Sequence, residues 1–244
     1  MPYYYGYGDF LANNIYCVLL IPVLLLSLWA QFQVSGNFRR YSAQRSRRGL
    51  TGAQAAEAVL RAHGVYDVNI RPCRGSLTDH YDPRDNTIYL SQDVYAAPTI
   101  AAVGVACHEA GHAVQYAVGY GPVRLRQAII PVTQLGSKFS FILLLAGMFL
   151  YSQTLFLAGI LLFSLTTVFQ LVTLPVEFNA SHRAIETIES QYLLEDDEVY
   201  GAKKVLRAAA MTYVAALLMS ALQLLRFVLI FLGRNGNRRG GGRE

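Results

Sequence analysis

Apolar positions along this chain are gathered into long blocks. Leu11–Phe32 and Phe139–Leu174 carry no charged side chain, and Val205–Leu232 carries only Arg207 and Arg226. A helix needs about 20 apolar residues to cross the hydrocarbon core of a bilayer. The central block of 36 residues is too long for one crossing. It divides at Tyr151-Ser152-Gln153-Thr154, a polar run that reads as a tight turn. The pattern therefore predicts four membrane-spanning helices.

Residues 33–138 read differently. Thr51-Gly52-Ala53-Gln54 has the form of a capping box, with Thr51 as cap and Gln54 three residues on. An alanine-rich helix follows to about His63, where Gly64 stops it. His63 then belongs to a helix end. Tyr66–Ile70, Leu77–Tyr81 and Thr87–Leu90 look like short strands between turn-forming runs, enough for a small antiparallel sheet of two or three strands. His80 falls on the surface of one of them. Pro98 sits where a first helical turn would start, predicting a helix over 98–118. Its residues Ile100–Ala106, Ala113 and Val114 are apolar on nearly every face, which predicts burial in protein or against lipid.

Composition sharpens this picture. Only 15% of residues are charged, against about 25% in soluble globular domains, and 53% are hydrophobic. The first apolar block is expected to be a retained anchor, since no basic residue precedes it and no small-x-small cleavage site follows. Three cysteines (Cys17, Cys73 and Cys107) without a CxxC spacing give neither a disulfide framework nor a thiolate metal site. Cys107 reads as core. The net charge of +5 collects near membrane ends, with Arg39, Arg40, Arg45, Arg47 and Arg48 just after the first block. By the positive-inside rule this puts 33–138 in the cytoplasm. Arg234, Arg238, Arg239 and Arg243 oppose that assignment, because four full crossings would carry them outside. The basic residues lack interleaved aromatics, so no nucleic-acid role is expected.

The predicted helix over 98–118 carries Cys107-His108-Glu109-Ala110-Gly111-His112-Ala113. Residues four apart on a helix stand one above the other, so His108 and His112 can aim two imidazoles at one metal ion. Glu109 falls beside that ion, placed to take a proton from bound water. The expected cofactor is one zinc ion per chain. A catalytic zinc keeps three protein ligands and an open position, so a third ligand is required. Glu177 stands out, because the hairpin turning at 151–154 returns it to the side of the motif. A charge at the end of an apolar helix can also be merely solvated. The run Glu195-Asp196-Asp197-Glu198 is a weaker candidate, since consecutive charges cannot all face one ion and such runs are ordinarily solvated loops or helix starts. Glu186 and Glu189 read as surface.

Leu77–Pro83, Ile88–Ser91, the His-Glu-x-x-His run and Pro175-Val176-Glu177-Phe178-Asn179-Ala180-Ser181 together resemble the YugP-like family of membrane zinc metallopeptidases, over nearly the whole chain. More distantly the chain is similar to HtpX-type proteases, which also place a membrane hairpin between zinc helix and glutamate ligand. The resemblance implies a mostly α membrane protein with about four transmembrane helices and a small gluzincin-like α+β catalytic domain. It carries over His108, His112 and Glu177 as zinc ligands and Glu109 as general base. One departure stands at Ser181, where the HtpX pattern has an Asp that can orient a zinc histidine; a hydroxyl makes a weaker or different outer shell.

The implied order along the chain is an N-terminal tail (1–10), a first span (11–32) and a catalytic domain (33–138) with its motif helix (98–118). A membrane hairpin (139–174), a ligand helix and acidic loop (175–204), a fourth span (205–232) and a flexible basic tail (233–244) follow. The expected function is that of a multi-pass membrane endopeptidase with a cytoplasm-facing site. Its peptide or membrane-protein substrate would lie as an added strand along an edge near Thr87–Leu90. For oxyanion stabilisation only His182 and Tyr213 offer themselves. Three rival readings differ in one feature each. A site-2-type intramembrane protease needs a later Asp in an apolar stretch, and none occurs here. A catalytically silent zinc scaffold or chaperone has no need of Glu109. An FtsH-like protease would need a P-loop, which is absent.

Overall fold

The computed structural model describes the backbone of residues 7–240 and the side chains of residues 16 and 18–233. Cys17 and the tail arginines from Arg234 onward therefore lie outside the described side chains. The element order is α1 (Tyr7–Ser42), α2 (Gly52–Ala62), β1 (Asn69–Cys73), β2 (His80–Asp82), β3 (Thr87–Ser91), α3 (Gln92–Tyr95), α4 (Ile100–Ala117), α5 (Gly121–Phe149), α6 (Gln153–Ser190) and α7 (Asp196–Gly240). Among the described residues four helices are long and apolar enough to cross a membrane: Val18–Ser42, Gly121–Phe149, Gln153–Ser190 and Asp196–Gly233.

Two compact units form. The first takes the chain up to Leu28, Arg126–Val172 and the stretch from Val214 onward. Protein covers only 6–22% of the most apolar window of each span, so the rest is left for lipid. What packing there is centres on the hairpin of α5 and α6, where Leu144, Phe156 and Ile160 are buried and Phe227 and Phe231 of α7 close over them. Gly147 permits the approach: a Cβ there would collide with the backbone of Phe156. The hairpin turns at Leu150–Ser152, with Tyr151 in the left-handed region (φ 53°) and Ser152 Oγ accepting from Leu155 N at 3.4 Å.

The second unit takes Trp29–Leu125 and Thr173–Tyr213. Its core is built on α4, with Val59 and Leu60 of α2, Ile88 and Leu90 of β3, Ile188 of α6 and Leu206 of α7 packed round it. Small residues let the helices close in: Ala101, Ala102, Ala106 and Ala110 of α4 and Ala202 of α7 are all buried. Cys107 is wholly buried, and burial pushes its thiol pKa far up, so it stays a protonated core side chain. Thr51 caps α2 with its hydroxyl on Gln54 N, and the Gln54 side chain returns to Thr51 N. The helix ends at His63, whose Nδ1 meets Val59 O at 2.9 Å.

Three differences from the sequence reading bear on the site. First, α4 begins at Ile100 rather than Pro98, because Thr99 is the cap and accepts from Ala102 N. Second, the sheet is mixed, in the order β1-β3-β2. The four-residue turn Pro83–Asn86 makes β2 and β3 antiparallel, and β1 joins the far side of β3 in parallel. Thr87–Ser91 is thus the central strand and cannot be the edge that receives a substrate; among the described residues the edges are β1 and β2. Third, α6 runs unbroken through Pro175, so span and ligand helix are one element.

The acidic run is a helix start with an unanticipated duty. Glu198 accepts from Glu195 N at 3.0 Å and from Arg47 N at 2.8 Å, while Asp197 forks onto the Arg47 guanidinium. Arg48 reaches Glu195 at 3.2 Å. These contacts tie the arginine-rich segment after α1 to the start of α7.

Candidate metal centre

The site lies wholly within the second unit, where α4 crosses the part of α6 that follows Thr173. Closeness is set at one residue. A Cβ on Gly111 would lie 2.7 Å from Ala180 O, so only glycine lets the two backbones meet at this depth. With α6 that near, Glu177 faces both histidines of the motif. Its Oε2 lies 3.4 Å from His108 Nε2 and 3.5 Å from His112 Nε2. The two rings stand edge to face, 4.7 Å between centroids. One ligand atom from each of the three residues falls within 4.8 Å of the others.

Those separations fit a metal better than a plain hydrogen-bonded pair. Tetrahedral zinc with bonds of about 2.0–2.1 Å holds neighbouring ligand atoms about 3.3 Å apart. A charge-assisted N–H···O bond would close to about 2.7–2.9 Å. The carboxylate is 2% exposed and His112 9%. Burial pushes His112 toward its neutral form, but the facing Glu177 carboxylate and nearby Glu109 outweigh it, so the pKa of the ring is raised.

The outer shell sets which ring nitrogen is offered. His112 Nδ1 lies 3.1 Å from Gln115 Oε1. The Gln115 amide cannot be turned over, because its Nε2 donates to Val176 O at 2.8 Å and to Asn179 Oδ1 at 3.0 Å. Asn179 Oδ1 is fixed in turn by Arg183 Nε at 2.9 Å. Gln115 must therefore present its oxygen, so the neutral His112 ring carries its proton on Nδ1 and offers its Nε2 lone pair on the Glu177 side. The same glutamine holds the turn of α6 that carries Glu177. Across the site Ser181 Oγ lies 3.1 Å from His108 Nδ1, so the serine occupies the orienting position that the sequence reading gave it.

Glu109 is 8% exposed and follows His108 directly on α4. The other acidic and imidazole candidates are elsewhere. Glu195 and Glu198 serve the α7 start; Glu189 pairs with Lys203 at 2.5 Å; His80 stacks on Tyr89 at 5.1 Å. Exposed His182 lines a groove between α1, α6 and α7. The sequence reading missed Gln115, although it stands three residues after His112 and hence on the same helix face.

The sequence profile of the family described as "putative neutral zinc metallopeptidase" matches residues 16–232. The chain belongs to that family. It is also 49% identical over 224 residues to the "putative membrane protease YugP" of Bacillus subtilis (strain 168), covering 91% of this chain and 100% of that protein. No solved structure matches. The family, this relative and the four apolar helices make the chain a membrane protein of zinc-peptidase type. Both the motif helix and Glu177 fall inside the matched region.

Proposed function

We propose that the chain is a membrane-embedded zinc endopeptidase with its site facing the cytoplasm. The observation that carries the reading is the convergence of His108, His112 and Glu177, with Glu177 Oε2 3.4 and 3.5 Å from the two Nε2 atoms and one ligand atom of each residue within 4.8 Å of the others. His108, His112 and Glu177 would hold a zinc ion, which would supply Lewis acidity toward a peptide carbonyl and lower the pKa of water toward about 7. Glu109 takes the proton released by the attacking water and returns it to the departing amine. Gln115 keeps the His112 imidazole in the tautomer that offers Nε2, and Ser181 orients the His108 ring through its Nδ1. Ala180, packed on Gly111, holds the ligand helix at the distance the site needs.

A substrate strand finds its edge at β2 rather than β3. Among the described residues the outer side of His80–Asp82 carries no further strand, and Tyr81 packs on Tyr116 of α4, 5.4 Å between rings. Backbone hydrogen bonds along that edge give affinity with little reading of side chains.

The test is direct. Detergent-purified protein should contain about one zinc per chain and cleave an unfolded polypeptide, with activity removed by a chelator and restored by zinc. Hydrolysis indifferent to chelation would defeat the reading. Orientation has its own test in a background lacking the native cysteines. Cysteines at Gln44 and Ser190, both exposed, should be shielded in intact cells from an impermeant thiol reagent, and one at Ser152 should be labelled. The opposite pattern places the site outside the cytoplasm.

A further inference from the structure

Beyond the metal centre, the second unit holds a groove of about 820 Å³ between α1, α6 and α7. One face of each helix lines it. From α1 come Trp29, Gln33, Asn37 and Arg40, spaced three and four apart, and from α6 Phe178, Ser181, His182 and Ile185. No aspartate or glutamate lines it, whereas Arg40, Lys203, Lys204 and Arg207 do. Lys203 is held by Glu189, and the Lys204 ammonium stands 4.6 Å above the Tyr200 ring. Among the described residues Arg40, Lys204 and Arg207 have no carboxylate partner.

The lining has an order along each helix. In α1 Trp29 precedes Gln33, Asn37 and Arg40, and in α6 Phe178 precedes Ser181 and His182, with Ile185 after them. In α7 the order reverses with the chain direction: Lys203, Lys204 and Arg207 precede Met211, after which the apolar stretch continues. Trp29 and Phe178 remain 48% and 47% exposed. Cationic side chains at one end and aromatic and thioether surface at the other complement a molecule with an anionic head and an apolar tail.

We propose that this groove binds an anionic phospholipid, its phosphate on Arg40, Lys204 and Arg207 and its acyl chain along Trp29, Phe178 and Met211. Basic pockets between membrane helices recognise head groups in this way. The groove reaches the metal centre through one residue, because Ser181 lines it and holds His108 Nδ1. The lipid site stands or falls independently of the peptidase reading.

Trp29 is the only tryptophan in the chain, which provides a built-in reporter. The protein in neutral detergent micelles is titrated with phosphatidylglycerol brominated on its acyl chains, and separately with phosphatidylcholine brominated alike. Half-quenching of Trp29 should need about tenfold less of the anionic lipid. Combined Arg40→Gln, Lys204→Gln and Arg207→Gln should abolish that preference. Combined Arg71→Gln, Arg74→Gln and Arg84→Gln removes the same charge from exposed positions outside the groove and should keep it. Inorganic phosphate at millimolar concentration should not relieve the quenching. Equal quenching by the two lipids, preference surviving in the groove variant, preference lost in the control variant, or displacement by phosphate would overturn the proposal. The last outcome would make the occupant a soluble phosphoester. Loss of fold in the combined variant, seen by gel filtration, moves the same comparison to Arg207→Gln alone, whose retained full preference would also overturn it.

Discussion

The two units solve the burial problem in opposite ways. In the membrane-spanning unit most apolar side chains face outward, and a few close contacts, Gly147 on Phe156 above all, set the helix spacing. Lipid is as apolar as leucine, so nothing is gained there by hiding leucine, and close packing decides the arrangement. In the other unit α4 is enclosed by helices and sheet, and every polar group on it must find a partner inside the protein. That demand is met by His112, Gln115, Asn179 and Arg183 in one chain of hydrogen bonds. The difference teaches where chemistry can reside: buried polar groups become precisely directed only where protein surrounds them.

The comparison can be broken most severely at the carboxylate. Glu177→Ala should lower zinc affinity by more than about 100-fold, beyond the 10–100-fold usual for outer-shell residues. Glu195→Ala should leave it unchanged. Unaltered zinc content in Glu177→Ala, by equilibrium dialysis, would show that the ligand set is wrong.

Gln115→Ala and Ser181→Ala come next, each expected to weaken zinc binding by about 10–100-fold with the ligands intact. Gln115→Ala should have the larger effect, because it frees both a ring and the turn of α6 bearing Glu177. Zinc affinity in Gln115→Ala equal to that of the unmodified protein would remove the tautomer argument.

Gly111→Ala and Gly147→Ala set the two units directly against each other. Each places a methyl group against backbone, at a cost of about 1–3 kcal/mol of stability. Only Gly111→Ala should also loosen zinc, by separating α4 from α6. A matching loss of zinc in Gly147→Ala would mean that the site depends on the membrane-spanning packing.

The smallest effect is one of pH. The raised His112 pKa means that the metal-free fold gains from a protonated ring facing Glu177. That gain is complete below the ordinary histidine value of about 6.5 and is lost as pH rises through the higher folded value. Zinc requires the neutral ring, so its affinity should rise across the same window. Thermal melts of metal-free protein should therefore fall from pH 6 to 8 while zinc-loaded melts rise. A metal-free melt independent of pH there would contradict the assignment.

Much of this was legible in the sequence, for identifiable reasons. The spans showed because charge is absent over lengths a bilayer requires, and the motif helix because His108 and His112 share one face. That Glu177 stands beside the two histidines was readable from the return of the hairpin together with family resemblance. The sheet order was not, since pattern tells strand from helix but not which neighbour β1 will choose once the Pro83–Asn86 turn has paired β2 with β3. Gln115 escaped notice because a glutamine on an apolar helix has no signature until Val176 and Asn179 are seen to hold it. The acidic run read as a solvated loop or a helix start, and its partners Arg47 and Arg48 lie about 150 residues away, so no local pattern announces such a pairing.

The central claim is that Glu109 serves chemistry and not structure. The measurement is zinc content and polypeptide hydrolysis of purified Glu109→Gln beside the unmodified protein. The account predicts about one zinc per chain in both, with hydrolysis reduced at least 10²–10⁴-fold in the variant. Undiminished hydrolysis by a zinc-loaded, folded Glu109→Gln protein would contradict it.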